Sequence, residues 1–192
     1  MTVRPSARLR IASALLAALF VVAFGTACQK TPAELTSEAL TRAQTAHNAG
    51  KNDEAIKGYY ETLGNDPRNE IALTNLGIIY RFANKPQIAE GFYRAALEVN
   101  PNSAGSLFGL AVIRAAAGDT QEAIDLYRRL LVLNPNDAIA HYNLGLVLRA
   151  TGRVAEGDAE IRQAIAIDPK LPPAPAATPV PTQRPSPSPT GR

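Results

Sequence analysis

Tryptophan is absent from these 192 residues, cysteine and methionine occur once each, and histidine occurs twice. A lone cysteine, Cys28, excludes an internal disulfide and any zinc cluster built on several thiolates. His47 and His141 lie far apart, with no HExxH spacing between or around them, so neither a metal site nor a cofactor is expected. No GxSxG elbow occurs, and no glycine-rich phosphate loop: "NLGIIY" and "NLGLVL" each carry one glycine inside an apolar-periodic stretch. Carboxylates are scattered over the chain rather than gathered for acid–base work, so the sequence does not read as an enzyme. Charge of one sign is missing too. The net +3 comes from Arg4, Arg8 and Arg10, and the remaining 17 basic residues are balanced by 17 acidic ones, all after Cys28. A chain without a basic block is not expected to bind nucleic acid.

One long hydrophobic run is present, at the start. "MTVRPSARLR" is positive, "IASALLAALFVVAF" has only Ser13 polar in fourteen residues, and small residues Gly25 and Ala27 precede Cys28. That order is expected of a secretory signal over residues 1–27. As a helix, residues 11–27 would reach about 26 Å, short of a ~30 Å hydrocarbon core. The stretch "FGTAC" resembles the lipobox of bacterial lipoproteins, although Gly25 stands where that box usually has leucine. The resemblance implies a lipid on Cys28, residues 28–31 as a short tether, and a membrane-anchored protein of the bacterial envelope; ordinary cleavage to a secreted or periplasmic protein is the alternative.

The rest of the chain is dominated by one spacing. Pro67, Pro101, Pro135 and Pro169 recur every 34 residues, in register with Ala55, Ala89, Ala123 and Gly157, with Tyr59, Tyr93, Tyr127 and Ile161, and with Gly50, Asn84, Gly118 and Gly152. A fixed period of this length signals stacked repeats. Each shared residue has a mechanical task. Glycine or asparagine ends a helix in the left-handed conformation. The small residues let two helices approach, and the tyrosines fill the space beside them. Each proline stops the second helix, because it drives the preceding residue out of α geometry. Asn69, Ser103 and Asp137 are expected to cap the next helix, each for about 1 kcal/mol. "TPAE" at 31–34 reads as a capping box that starts the first helix at Pro32.

"NLGIIY" with Ala89, Tyr93, Ala96 and Pro101 resembles the tetratricopeptide repeat family, as do "YNLGLVL" with Ile161, Ala164 and Pro169, and "GLAVIR" with Ala123, Tyr127 and Pro135. The opening unit departs most, with Arg42 and Ala46 where large apolar residues are usual. Residues 36–171 hold four periods, with repeat boundaries expected at 32–69, 70–103, 104–137 and 138–171. The resemblance implies an all-α, right-handed α-solenoid of four helix-turn-helix repeats with a concave inner face. Residues 172–192 carry eight prolines and are expected to be a disordered tail of up to ~65 Å. No extra polar helix closes the last pair, so Ile161, Ile165 and Ile167 are expected to be partly uncovered, and a homodimer through that end is one way to cover them.

In repeat two Leu73, Leu76, Gly77 and Tyr80 form the packing stripe. The family's groove-lining face falls on Ile71, Thr74, Asn75, Ile78, Arg81 and Phe82, with Phe108 and Val112 from repeat three and Tyr142, Asn143, Leu146 and Arg149 from repeat four. Asparagines can bond a peptide backbone and arginines can meet carboxylates. The family's clamp for a C-terminal carboxylate is not expected, because Thr74, Ile78, Phe108 and Val112 stand where its lysines would. The sequence thus implies a non-catalytic scaffold or adaptor that binds a peptide or protein in this groove. An accessory subunit of an envelope enzyme or assembly complex is a further alternative.

Overall fold

The computed structural model describes residues 30–175. The segment expected to be a secretory signal, Cys28 and the proline-rich segment beyond Pro175 lie outside the described residues. Those residues form eight helices and no strand: α1 (Pro32–Asn48), α2 (Asn52–Asn65), α3 (Glu70–Phe82), α4 (Pro86–Val99), α5 (Ala104–Ala117), α6 (Thr120–Leu133), α7 (Ala138–Ala150) and α8 (Val154–Ile167). None of them is long and apolar enough to cross a membrane. The chain divides into two compact units, one ending at Pro67 and the other starting at Arg68. The first is the single hairpin α1–α2; the second is three hairpins packed in order.

Every hairpin turns in the same way. Gly50, Gly118 and Gly152 have φ of 72°, 87° and 82°, and Asn84 takes the same left-handed conformation at φ 56°. The next residue then donates its N–H to the carbonyl five residues back: Lys51 to Ala46, Lys85 to Tyr80, Asp119 to Arg114 and Arg153 to Leu148, at 2.9–3.0 Å. This is the Schellman closure, which satisfies carbonyls the helix end would leave bare. The second helices stop two residues before each proline, at Asn65, Val99, Leu133 and Ile167.

Helix starts are less uniform. Thr31 and Glu34 form the capping box of α1, Asn69 Oδ1 accepts from the Ala72 N–H at 3.1 Å, and Asp137 Oδ1 accepts from the Ala140 N–H at 2.9 Å. Ser103 holds the N-cap position of α5 but makes no cap bond with its side chain. Its hydroxyl donates to the Glu70 carboxylate, and Thr74 Oγ1 also donates to Glu70, at 3.0 Å. Ser106 completes the cluster, 2.7 Å from the Thr74 hydroxyl and 3.1 Å from that of Ser103. A charged acceptor outcompetes the role expected from the sequence. The serine therefore fastens the start of α5 to α3 instead of capping its own helix.

Packing in the second unit is built on small-against-large contacts. Leu73, Leu76, Ala89, Tyr93 and Ala96 of repeat two are buried, and Tyr80 lies half-buried in a parallel stack with Phe92 at 5.6 Å. Burial pushes the Tyr93 phenol above its ordinary pKa, with Arg81 pulling the other way, and pushes Tyr127 up to about 12. Arg114, half-buried on α5, meets carboxylates from both sides: Glu90 of α4, Asp119 at 2.8 Å and Glu122 of α6 at 3.4 Å. Arg94 joins the same acids at 2.8 and 2.9 Å, which ties repeat two to repeat three through a network rather than an isolated pair.

In the first unit Ala39, Ala43, Ala55 and Tyr59 form a thin core. Arg42 stays exposed and pairs with Glu61 at 2.9 Å, which explains its presence at a position that is usually apolar. Arg42, Ala46, Ala49 and Gly58 line an open cleft of about 490 Å³ between the two helices.

Candidate functional site

The first helices of the second unit, α3, α5 and α7, touch in sequence and present one continuous face. The residues expected to line a groove lie on it. Ile78, Phe108 and Val112 are half-buried against the core, and Phe108 meets Tyr127 edge-to-face at 6.1 Å. Tyr142, Asn143 and Leu146 are likewise half-buried. Phe82, at the C-terminal end of α3, is 73% exposed, and Ile71 and Ile139 are exposed beside the helix starts. Ile139 was not among the residues singled out from the sequence, although it stands two periods after Ile71 and was open to the same reasoning. Between them in the same register comes Gly105, exposed and without a side chain, against the methyl of Thr74. The face therefore carries bulky apolar groups at its two ends and a notch in the middle.

Its polar members are largely committed. Thr74 spends its hydroxyl on Glu70 and Ser106. Asn75 Nδ2 donates back to the Ile71 carbonyl at 2.9 Å. Arg81 stacks its guanidinium 4.3 Å from the centre of the Phe82 ring, and its Nε is buried near the Tyr93 phenol without a bond of proper geometry. Arg149 forms an ion pair with Asp158 of α8 and donates from Nη2 to the Pro175 carbonyl at 2.6 Å. Arg149, expected to be able to meet a partner's carboxylate, is paired here with one of the chain's own. What this face offers a ligand is apolar and aromatic surface with little free charge.

Neither histidine stands free. His141 is buried, with Nδ1 2.6 Å from Glu160 Oε2 and Nε2 3.0 Å from the Pro135 carbonyl, so it fastens the start of α7 to α8 and to the preceding turn. His47 packs edge-on to Tyr59, with its Nδ1 3.4 Å from the phenol oxygen.

At the C-terminal end, Ile161 is 1% exposed, not uncovered as the sequence suggested, while Ile165 is half-buried and Ile167 exposed. Ile161 lies under α7, where Gly145 leaves room for it.

A family model for the tetratricopeptide repeat matches residues 74–138 and 115–172. No curated protein matches the sequence. Among solved structures, the MamA protein is 28% identical, with 71% of this chain and 75% of that chain covered and a TM-score of 0.65. PilF of Pseudomonas aeruginosa is 19% identical, with 74% and 65% covered and a TM-score of 0.64. YrrB, described as a TPR protein with an unusual peptide-binding site, is 20% identical, with 70% of both chains covered and a TM-score of 0.61. The likeness to these last two is one of fold. That fold is all-α, a solenoid built of helical hairpins, and it is a fold of protein–protein interaction scaffolds, which generally act as adaptors without chemistry of their own. The chain belongs to the tetratricopeptide repeat family.

Proposed function

We propose that this protein is a non-catalytic adaptor whose α3–α5–α7 face binds an apolar, uncharged segment of a peptide or protein partner. The observation that carries the reading is Phe82, 73% exposed on a face where Ile71 and Ile139 are also bare and both arginines are engaged. A large aromatic left in water on a face that also exposes two isoleucines at its helix starts costs solvation unless something covers it. A peptide site is documented on the same fold in YrrB, which supports the class of ligand but not its sequence.

The test uses fluorescent 15-residue peptides of three kinds: leucine- and proline-rich without charge, acidic, and basic. The uncharged peptides should bind, and Phe82→Ala combined with Ile139→Ala should weaken them about tenfold, or ~1.4 kcal/mol. Because both side chains are exposed, the melting temperature should hardly move. Binding confined to the acidic peptides, or unchanged in the double variant, removes this reading.

The setting we propose is the bacterial envelope outside the cytoplasmic membrane, with Cys28 lipidated. Its support is the sequence alone: a basic start, an apolar run and small residues immediately before the cysteine. The capped start of α1 lies only four residues after Cys28 and would hold the repeats near the bilayer. Intact mass of the mature protein should show an N-terminal cysteine carrying a diacylglyceryl group. A mature chain starting at unmodified Cys28 would make it a secreted or periplasmic binding protein instead.

A further inference from the structure

We propose that copies of this chain associate end to end, with α8 of one copy seated in the first-hairpin cleft of the next. The contact involves α8, α1 and α2, none of which belongs to the α3–α5–α7 face, so it does not rest on the function proposed above.

The seat can be read in the second unit, where it is filled. A groove of about 300 Å³ runs between repeats two and three. Arg94, Leu97 and Glu98 of α4 form one wall, and Leu110 of α5 with Glu122, Leu126 and Arg129 of α6 form the other. The 490 Å³ cleft of the first hairpin is lined by Arg42 of α1 and by Glu54, Gly58 and Glu61 of α2. Each of these stands two periods before its counterpart in the second wall. The cleft is thus half of the same groove. α1 is the first helix among the described residues, so no earlier helix there takes the part of α4.

Charge says what belongs against it. Arg94 pairs with Glu122 at 2.9 Å, and one period on Arg128 meets Glu156 at 4.0 Å. The arginine register reads Tyr60, Arg94, Arg128 and Arg162, and the glutamate register reads Glu54, Ile88, Glu122 and Glu156. Two pairs close within the chain, and a tyrosine and an isoleucine hold the third place. One charge of each sign is left over, Glu54 in the first hairpin and Arg162 in the last. Arg162 is exposed and forms no ion pair among the described residues. Glu54 is exposed beside Lys51 at 3.3 Å. Glu156 has the same kind of neighbour in Arg153, at 2.6 Å, and still meets Arg128. The local cation therefore leaves room for an incoming one.

α8 also brings apolar surface. Ile165, half-buried, and Ala166, exposed, stand two periods after Leu97 and Glu98. The cleft meets them with small residues, Ala46, Ala49 and Gly58. Covering these groups supplies the attraction, while the exposed ion pair adds little affinity and selects the register. A stacked repeat touches only its neighbours, so the last hairpin of one copy can serve as neighbour to the first hairpin of another. The two surfaces differ, which makes the contact heterologous and able to repeat from copy to copy.

Sedimentation velocity of the full chain over a range of concentrations should show reversible association. Arg162→Glu and Glu54→Arg should each weaken it at least about fivefold, with melting temperature and helical content unchanged because both side chains are exposed. Mixing the two variants in equal amounts should restore association, since opposite charges then face each other again. Lys85→Glu, exposed and outside both surfaces, should change nothing. A parent chain that stays monomeric, or single variants that associate like the parent, overturns the proposal; the second result would place the contact elsewhere, as in the apolar run at 11–24. A mixture no more associated than its separate components, or an equal loss with Lys85→Glu, overturns it as well.

Discussion

Replacing Tyr93 by alanine should lower the unfolding free energy of the protein by about 3–5 kcal/mol, as emptying a large buried aromatic site does. The ring is completely buried. Its special position is that it serves two contacts at once: a Cβ on Gly77 would lie 2.6 Å from Tyr93 Cε1, and one on Gly109 would overlap the Cζ edge of the same ring. Tyr93 therefore fills the gap between α4 and α3 within a repeat and between α4 and α5 across the seam. Its loss should loosen both, and urea unfolding should lose sharpness as the repeats uncouple. Tyr93→Phe separates packing from polarity. Tyr93 Oη is buried and lacks a hydrogen-bond partner, so removing it should cost less than about 1 kcal/mol and can stabilise. If Tyr93→Ala costs under 1 kcal/mol, or Tyr93→Phe costs as much as Tyr93→Ala, the ring is not the wedge described here.

The residues whose roles could be read in advance act on their own backbone. Proline at 67, 101, 135 and 169 stops a helix whatever surrounds it, and a glycine or asparagine at the hairpin turn takes a left-handed φ for reasons internal to the residue. Ser103 was not readable, because its competitor for the hydroxyl, Glu70, is a full repeat away in sequence and reaches it only after the hairpins stack. Arg81 and Arg149 show the same limit on the binding face. They share one register and one residue type, yet the first has its Nε buried near two tyrosine phenols and the second is held by Asp158 and Pro175. Register assigns a residue to a face; what comes next along the chain decides whether it is free. Ile139, by contrast, needed only the period already in hand. Of the candidate groove residues, the apolar ones keep exposed or half-exposed surface and the polar ones are mostly spent on the fold, which is why the partner inferred from the structure is less charged than the sequence alone suggested.

Gly157→Ala should destabilise the last hairpin by about 2 kcal/mol, although it restores the residue that the other three repeats carry at this register. Helix propensity argues for the opposite sign, since alanine within a helix is favoured over glycine by about 1 kcal/mol. Local space decides it. A Cβ on Gly157 would lie 2.5 Å from the Gly145 carbonyl oxygen and 3.0 Å from the Arg149 backbone N, and a Cβ on Gly145 would lie 2.6 Å from the Gly157 carbonyl oxygen. These neighbours are main chain, so no side-chain rotation relieves the overlap, and forcing a methyl into such a contact typically costs 1–3 kcal/mol. The earlier hairpins carry alanine at this register, and Ala55, Ala89 and Ala123 are all completely buried there. With glycine on both helices α7 and α8 approach closely enough for backbone to touch backbone, which also lets Ile161 tuck under α7 and Arg149 reach Asp158. Gly145→Ala should cost a similar amount by pushing against Ile161 as well. Urea unfolding of the two single variants checks the sign directly: a Gly157→Ala protein more stable than the parent would mean that the helices separate at no cost and that the close crossing is not what holds the last repeat.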